Sequence, residues 1–183
     1  MDGALLSTER LLLRQWRLAD REPFAAMNAD PRVMRHFPAP MSREQSDAFA
    51  DRIEADIAAQ GWGLFAVEVR STGAFAGFVG LKEVGPPYPF APAVEIGWRL
   101  AAAQHGFGYA TEAARAVVAY ARDVLYLPAL VSMTTVRNRQ SRRVMEKLGM
   151  TRDPAEDFDS PTVPPSWSGR RHVLYRLALR DPG

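Results

Sequence analysis

Residues 95–111 read EIGWRLAAAQHGFGYAT and combine an alternating segment, two closely spaced glycines and the start of an alanine-rich segment. Alternation of apolar residues over 94–100 predicts a strand. Gly106 and Gly108 lack a Cβ, so the backbone there can turn with positive φ and expose successive N–H groups. From Tyr109 the apolar residues have helical spacing, and the unpaired N–H groups that begin a helix attract anions. The stretch therefore predicts a strand, a loop and a helix that together bind a diphosphate.

Length and composition favour a single domain over residues 1–183. The hydrophobic content of 47% and the charged content of 24% are ordinary for a globular domain. The 23 basic and 21 acidic residues leave a formal charge of +2, which lacks the basic excess of a typical nucleic-acid binder. The sequence contains no cysteine, so disulfides and cysteine nucleophiles are excluded. We expect no nucleic-acid partner.

The N-terminal segment does not have the pattern of a signal peptide. Glu9, Arg10 and Arg14 interrupt its apolar residues, whereas a signal peptide has a continuous apolar region. No apolar run approaches the roughly 18 residues that a membrane helix requires. We therefore expect a cytoplasmic protein with no membrane partner.

Hydrophobic patterning predicts alternating strands and helices. Ser42 begins a helix near the spacing of a capping box, and Gly61 follows its end. The predicted strands span residues 11–18, 62–69, 75–84, 94–100, 129–136 and 172–179, and the predicted helices span 24–28, 31–36, 42–60, 109–125 and 138–148. This order is typical of an α+β fold with one strand–helix–strand unit near its middle.

The loop at residues 85–93, GPPYPFAPA, contains four prolines and two aromatic residues and cannot form regular structure. Two interpretations of it remain open. The loop either forms an aromatic rim over a substrate pocket, or is a surface connection whose rings cover the core.

Five segments together resemble the GNAT superfamily of acetyltransferases, and within it the branch of the RimJ and RimL ribosomal-protein N-acetyltransferases. The segments are TERLLLRQW (8–16), EIGWRL (95–100), GFGYATEA (106–113), NRQSRRVMEKLGM (138–150) and HVLYRLALR (172–180). The resemblance implies a three-layer α/β/α structure with a mixed, largely antiparallel sheet of about seven strands. It also implies that the sheet splays between its fourth and fifth strands, with acetyl-CoA as cosubstrate.

The resemblance implies two groups of residues that bind acetyl-CoA. The first binds the pyrophosphate at a loop of the form Gln/Arg-x-x-Gly-x-Gly/Ala, in which His105 replaces the usual Gln or Arg. The second binds pantetheine in the gap between strands 95–100 and 129–136. The implied residues are Trp98, Arg99, Leu100, His105, Gly106, Phe107, Gly108, Tyr109, Ala110, Thr111, Asn138 and Ser141. For Asn138 and Ser141 the alternative role is helix capping.

Acyl transfer to an amine requires a base for the amine and a hydrogen-bond donor for the oxyanion. We expect Glu95, on the polar face of the strand, to be the base; its alternative is a solvated carboxylate. We expect the oxyanion donor to be a backbone N–H freed by a bulge in residues 95–100. The family places an acidic tyrosine seven positions after the asparagine, where this chain has Met145. Ser141 is the remaining hydroxyl near the expected position of the coenzyme A thiol.

The acceptor stays open at the level of sequence. A protein α-amino group, with a reference pKa near ~8, is easier to deprotonate than a lysine near ~10.4. It therefore suits a weak base better. Polyamines and aminoglycosides are alternatives, as is a non-catalytic module that senses acetyl-CoA. The three histidines show no ligand spacing, so no metal is expected, and a homodimer is a candidate assembly.

Overall fold

Eight strands form one sheet in the computed structural model, which describes residues 4–180. Their order is β1-β2-β3-β4-β5-β6-β8-β7, with β5 and β6 parallel and every other neighbouring pair antiparallel. The strands are β1 (Ala4–Ser7), β2 (Leu11–Arg14), β3 (Leu64–Val69), β4 (Ala74–Val84), β5 (Ala93–Leu100), β6 (Ala129–Thr135), β7 (Phe158–Asp159) and β8 (Arg171–Ala178). The mixed, largely antiparallel sheet is confirmed, with eight strands where the resemblance implied about seven. Strands β1 and β7 are the two that hydrophobic patterning did not predict, because they are too short to show a pattern.

Five helices flank this sheet. They are α1 (Arg21–Ala29), α2 (Pro31–Met34), α3 (Arg43–Gln60), α4 (Tyr109–Asp123) and α5 (Arg139–Lys147). The predicted capping box forms, since Ser42 and Gln45 each accept from the other's backbone N–H. Gly61 ends α3 with a left-handed φ of +78°.

The first predicted strand is shorter than expected. The prediction spans residues 11–18, but β2 ends at Arg14 and residues 18–20 form a 3-10 turn. Asp20 causes this ending, because its carboxylate accepts from the Arg17 backbone N–H at 2.8 Å and from the Arg14 guanidinium at 2.7 Å. A local polar network therefore replaces the continuation of the strand.

Helices cover both faces of the sheet, as a three-layer structure requires. On one face, the rings of Phe24 in α1, Phe49 in α3 and Phe78 in β4 have centroids 5.7–6.2 Å apart. On the other face, Tyr120 of α4 contacts Phe65 of β3 at 6.2 Å. These aromatic contacts place α1 and α3 on one face of the sheet and α4 on the other.

The sheet splays between β5 and β6. Neighbouring β4 and β5 are paired from Gly77–Leu100 to Val84–Ala93 without a shift, whereas β5 and β6 share only the pair Glu95–Val131. Beyond this pair the two parallel strands separate toward their C-terminal ends. Because β1 was not among the predicted strands, β5 and β6 are the fourth and fifth predicted ones. The splay therefore lies where the resemblance placed it.

Candidate active site

The loop before α4 leaves a run of backbone amides without acceptors. Gly106 and Gly108 have φ of +86° and +81°, which glycine adopts without strain. Within residues 4–180, no carbonyl or side chain accepts from the N–H groups of residues 106–111, and the Glu112 N–H is the first to bond back, to the Gly108 carbonyl. The positive end of the α4 dipole lies at the same point. This arrangement has the donors that a diphosphate needs.

Arg10 braces this loop, a role that the sequence did not reveal. Its Nη1 donates to the Phe107 carbonyl at 2.9 Å, and its Nε donates to Glu112 Oε2 at 2.7 Å. Glu112 also accepts from the Thr8 hydroxyl at 2.6 Å. Burial acts to raise the pKa of Glu112, but the hydrogen bonds from Thr8 and Arg10 outweigh it and hold that pKa below its ordinary value. The carboxylate therefore stays charged and fixes the first turn of α4.

Aromatic rings and His105 hold the rest of the loop. The Phe107 and Tyr109 rings stack at 5.5 Å, and the Arg10 guanidinium lies 4.8 Å from the centre of the Tyr109 ring. His105 Nε2 donates to the Leu100 carbonyl at 2.9 Å. The His105 side chain is thus turned back toward the end of β5, and the exposed amides remain the main donors of the loop.

The predicted bulge in β5 is wrong. The register between β4 and β5 has no interruption. Gly77, with a φ of +135°, lies close to the Arg99 and Leu100 backbone. A Cβ at Gly77 would lie 2.1 Å from the Arg99 carbonyl oxygen. On the edge of β5 that separates from β6, residues 96–100 have no paired partner on that strand.

The Arg99 side chain turns away from the gap and into the aromatic core. Its guanidinium lies 4.4 Å from the centre of the Phe37 ring and 5.5 Å from that of Phe78, and its Nη1 donates to Asn28 Oδ1 at 2.7 Å. Burial lowers the pKa of Arg99 to about 10, so the group stays positively charged at neutral pH. Its buried Nε has no partner within residues 4–180. The Arg99 side chain is therefore not available to a ligand in the gap.

Glu95 lies at the one point where β5 and β6 are paired. It is partly buried, and no described residue donates a hydrogen bond to its carboxylate. Burial raises the pKa of Glu95 above the ordinary carboxyl value, and the positive charge of Lys82 opposes that shift. A carboxylate with a raised pKa is a stronger general base than an exposed carboxylate with an ordinary pKa.

Asn138 caps α5, so the capping alternative is present in the structure. Its Oδ1 accepts from the Ser141 backbone N–H at 3.2 Å, and its Nδ2 donates to Thr134 Oγ1 at 2.8 Å and Ser141 Oγ at 3.0 Å. Both amide hydrogens are thereby used, and Oδ1 keeps one lone pair for a ligand. The Ser141 hydroxyl accepts one of these bonds, and its own hydrogen is left to donate.

Met145 is 1% exposed and belongs to the core. The position where the resembled family has a tyrosine is thus filled by an apolar side chain that cannot supply a proton. Ser141 lies one helical turn before Met145 and carries the hydroxyl group of α5.

The proline-rich loop at residues 85–93 packs against the C-terminal strands. Tyr88 and Phe90 contact Phe158 of β7 at 6.0 and 5.1 Å between ring centroids, and the Tyr88 hydroxyl lies 3.0 Å from Thr162 Oγ1. Val131 of β6 lies beneath these rings. The rings therefore cover a small second core, and they do so on the face that carries Glu95.

No group of three or more potential metal ligands occurs within residues 4–180. In the same range, no helix is long and apolar enough to span a bilayer.

Comparison with known proteins identifies the relatives of this chain. The family model described as "Acetyltransferase (GNAT) domain" matches residues 10–151. The uncharacterized N-acetyltransferase YnaD of Bacillus subtilis (strain 168) is 28% identical over 149 residues, which cover 81% of this chain and 83% of that protein. The crystal structure of an acetyltransferase from Agrobacterium tumefaciens str. C58 is similar, with 32% sequence identity and a TM-score of 0.75, and the match covers 94% of this chain and 92% of that one.

A third neighbour shares the fold alone. Spermidine N-acetyltransferase from Vibrio cholerae, solved in complex with CoA and spermine, is 17% identical with a TM-score of 0.73, and the match covers 94% of this chain and 97% of that one.

Proposed function

The chain belongs to the GNAT acetyltransferases, since the family model matches most of its length, and we propose that it acetylates a protein N-terminal α-amino group with acetyl-CoA. The observation that carries this proposal is the run of backbone amides without acceptors at residues 106–111. This run lies shortly after the end of β5, the strand that borders the gap to β6. Such amides suit the pyrophosphate of coenzyme A. The proposed pyrophosphate-binding residues are His105, Gly106, Phe107, Gly108, Tyr109, Ala110 and Thr111.

The gap between β5 and β6 would hold the pantetheine chain. Residues 98–100 supply backbone groups on one side, and Asn138 supplies the free lone pair of Oδ1 on the other. The reacting carbonyl would then lie near the narrow end of the gap. That end is where Glu95 and Val131 pair.

Glu95 would remove a proton from the acceptor ammonium, directly or through a water, so that the neutral amine can attack the thioester carbon. A backbone N–H of β5 would donate to the oxyanion that forms as the carbonyl double bond opens. The tetrahedral intermediate would lose its remaining extra nitrogen proton to water. When the carbon–sulfur bond breaks, the Ser141 hydroxyl would donate a hydrogen bond to the leaving thiolate, which would then take a proton from water. No covalent enzyme intermediate is needed.

Glu95 is a carboxylate and hence a weak base, which supports an acceptor of low basicity. An α-amino group loses its proton near pH ~8, more than two units below a lysine side chain. A single carboxylate can therefore deprotonate it more readily near neutral pH. Polyamines stay the second candidate, and a spermidine acetyltransferase shares the fold, but at 17% identity that likeness concerns architecture only.

A steady-state assay tests the proposal with a panel of amines: peptides with free N-termini, lysine side chains, spermidine and an aminoglycoside. We expect turnover with the peptides, and a loss of about 10²- to 10⁴-fold in kcat for Glu95→Gln, the usual contribution of a general base. The control is Glu83→Gln, which changes an exposed carboxylate on β4 and should leave kcat unchanged.

A sensor that only binds acetyl-CoA would give a different result. Acetyl-CoA would raise the melting temperature, since a ligand that binds only the native state stabilises it, yet no amine in the panel would be acetylated. That outcome would overturn the catalytic proposal, as would full activity of Glu95→Gln. Turnover with spermidine in place of peptides would overturn the choice of acceptor.

A further inference from the structure

A cavity of about 270 Å³ lies at the C-terminal end of β6. It is formed by the segment after α2, the end of β6 and the loop that leads into β8. Its lining residues are Arg35, His36, Thr135, Val136, Arg137, Trp167, Ser168, Gly169 and Arg171.

The cavity opens on the face of the sheet that carries Glu95. In a parallel pair, laterally adjacent residues point to the same side, so Glu95 and Val131 share a face, and Thr135 shares it because side chains alternate along a strand. Thr135 Oγ1 lies 3.5 Å from His36 Nδ1 in the cavity wall. Thr134, by contrast, accepts from Asn138 on the opposite face. A molecule in the cavity therefore approaches Glu95 from the side opposite Asn138.

The lining of the cavity is basic and contains no carboxylate. Within residues 4–180, Arg35 and Arg137 have no acidic group within ion-pair distance, and Arg35 donates to the neutral Gln140 side chain at 2.6 Å. Arg171 has only a 3.6 Å contact with Asp159, which lies outside the cavity lining. Two of the three lining arginines are therefore unneutralised, and the third is weakly paired.

A further cation lies beside the cavity. Arg99 stacks on Phe37 at 4.4 Å, and Phe37 directly follows His36 in the chain. No described carboxylate pairs with Arg99. The positive charge on this face thus extends from the cavity toward β5, which would attract an anion and repel a polyamine.

We propose that the acceptor is a peptide N-terminus with an acidic group near its fourth residue, which the cavity arginines bind. This inference rests on the proposed function. Thr135 follows Val131 by four positions, and four residues of strand span roughly 13 Å at 3.3 Å each. An extended peptide of about four residues therefore reaches from the level of Glu95 to the cavity. Arg35 and Arg137 supply the planar donors that recognise carboxylate or phosphate oxygens.

Matched peptides test the proposal. Three C-terminally amidated peptides, Ala-Ala-Ala-Glu, Ala-Ala-Ala-Gln and Ala-Ala-Ala-Arg, differ only in the fourth residue, and the first two have nearly the same shape but different charge. We expect kcat/KM to be about tenfold higher for the glutamate peptide than for the glutamine peptide, which corresponds to about 1.4 kcal/mol, and lowest for the arginine peptide. Equal values for all three would overturn the proposal. The compound 4-aminobutyrate, a small amine that carries a carboxylate, tests for a small-molecule acceptor, and a higher kcat/KM for it than for every peptide would overturn the peptide assignment.

Substitution of the arginines assigns the effect to the cavity. In Arg35→Gln/Arg137→Gln, the ratio of kcat/KM for the glutamate peptide to that for the glutamine peptide should fall to about one. The control is Arg122→Gln, which removes an exposed charge near the end of α4 and should keep the preference. If the double variant does not fold, Arg137→Gln alone should reduce the preference. A preference that survives in a folded variant would overturn the assignment.

A binding measurement separates this inference from the proposed function. If no amine is acetylated, the proposed function fails, and thermal stabilisation by each peptide in the presence of acetyl-CoA decides the inference. Greater stabilisation by the glutamate peptide than by the glutamine peptide would support an anion site in the cavity. Equal or absent stabilisation by these two peptides would overturn it.

Discussion

Arg10 and Glu112 are 102 residues apart in the sequence, yet Arg10 Nε lies 2.7 Å from Glu112 Oε2. The same arginine donates to the Phe107 carbonyl, so one side chain just before β2 contacts both the glycine loop and the first turn of α4. The loop's amides are held in place by this contact before any ligand arrives.

We predict that Arg10→Gln raises KM for acetyl-CoA by about three- to tenfold and leaves kcat nearly unchanged. A charge-assisted hydrogen bond contributes about 1.5–3 kcal/mol, and exposure of Arg10 reduces the effect. Steady-state kinetics with varied acetyl-CoA would measure it. Arg122→Gln, on the same helix as Glu112, should show no change, and a purely kcat-based loss in Arg10→Gln would contradict the bracing role.

Gly106→Ala should weaken acetyl-CoA binding beyond its effect on stability. An alanine at a left-handed φ costs about 1–2 kcal/mol, so the melting temperature should fall. Gly149→Ala is a matched control, because Gly149 has a φ of +80° against +86° at Gly106, and a Cβ added at either position would have no neighbour within 4 Å. Both variants should lose similar stability, but only Gly106→Ala should lose the thermal shift caused by acetyl-CoA.

Glu95 should make stability depend on pH in a direction opposite to that of a salt-bridged carboxylate. Burial raises its pKa above the ordinary value of 4.5, with Lys82 opposing, so the folded state holds the proton more tightly than the unfolded chain. Its contribution to stability is fully present below pH 4.5 and is lost as the pH rises through the folded pKa.

We therefore predict that Glu95→Gln becomes more stable than the wild type as the pH rises above 4.5. Melting curves between about pH 4 and pH 8, recorded without ligand, would show the gap between the two proteins widening with pH. Glu83→Gln should show no such trend. A constant gap for Glu95→Gln would mean that Glu95 does not titrate differently in the folded state.

Two substitutions at Asn138 separate capping from ligand binding. Asn138→Asp keeps an oxygen that can cap α5 but loses the amide donors to Thr134 and Ser141, whereas Asn138→Ala loses the cap at a cost of about 1 kcal/mol. We predict that only the alanine variant melts substantially earlier, and that it raises KM for acetyl-CoA more than the aspartate variant, which keeps Oδ1 but loses the two hydrogen bonds that orient it. A normal KM in Asn138→Ala would leave capping as the sole role.

Local features of the site could be predicted from the sequence because neighbouring residues determine them. The positive φ values at Gly106 and Gly108 and the cap formed by Asn138 depend on residues at most a few positions away. The order of elements followed from hydrophobic periodicity for the same reason. The end of the first predicted strand was wrong, because Asp20 forms a polar network that periodicity does not encode.

Contacts between distant segments could not be predicted in this way. Arg10 bonds Glu112 of α4, on the far side of the glycine loop. Nothing in the sequence pattern indicated that Arg99 would contact Asn28 and the ring of Phe37. The basic cavity likewise joins residues 35–36 with residues 167–171. Each of these requires knowledge of which elements pack together.

The single Glu95–Val131 pair leaves the central sheet as two half-sheets that meet at one end. A pantetheine chain in the gap would supply the missing interstrand hydrogen bonds, so the cosubstrate would complete the sheet as well as deliver the acetyl group. Amide hydrogens along residues 96–100 should then exchange with deuterated solvent more slowly when acetyl-CoA is bound. The protein would unfold in a more cooperative transition in that state.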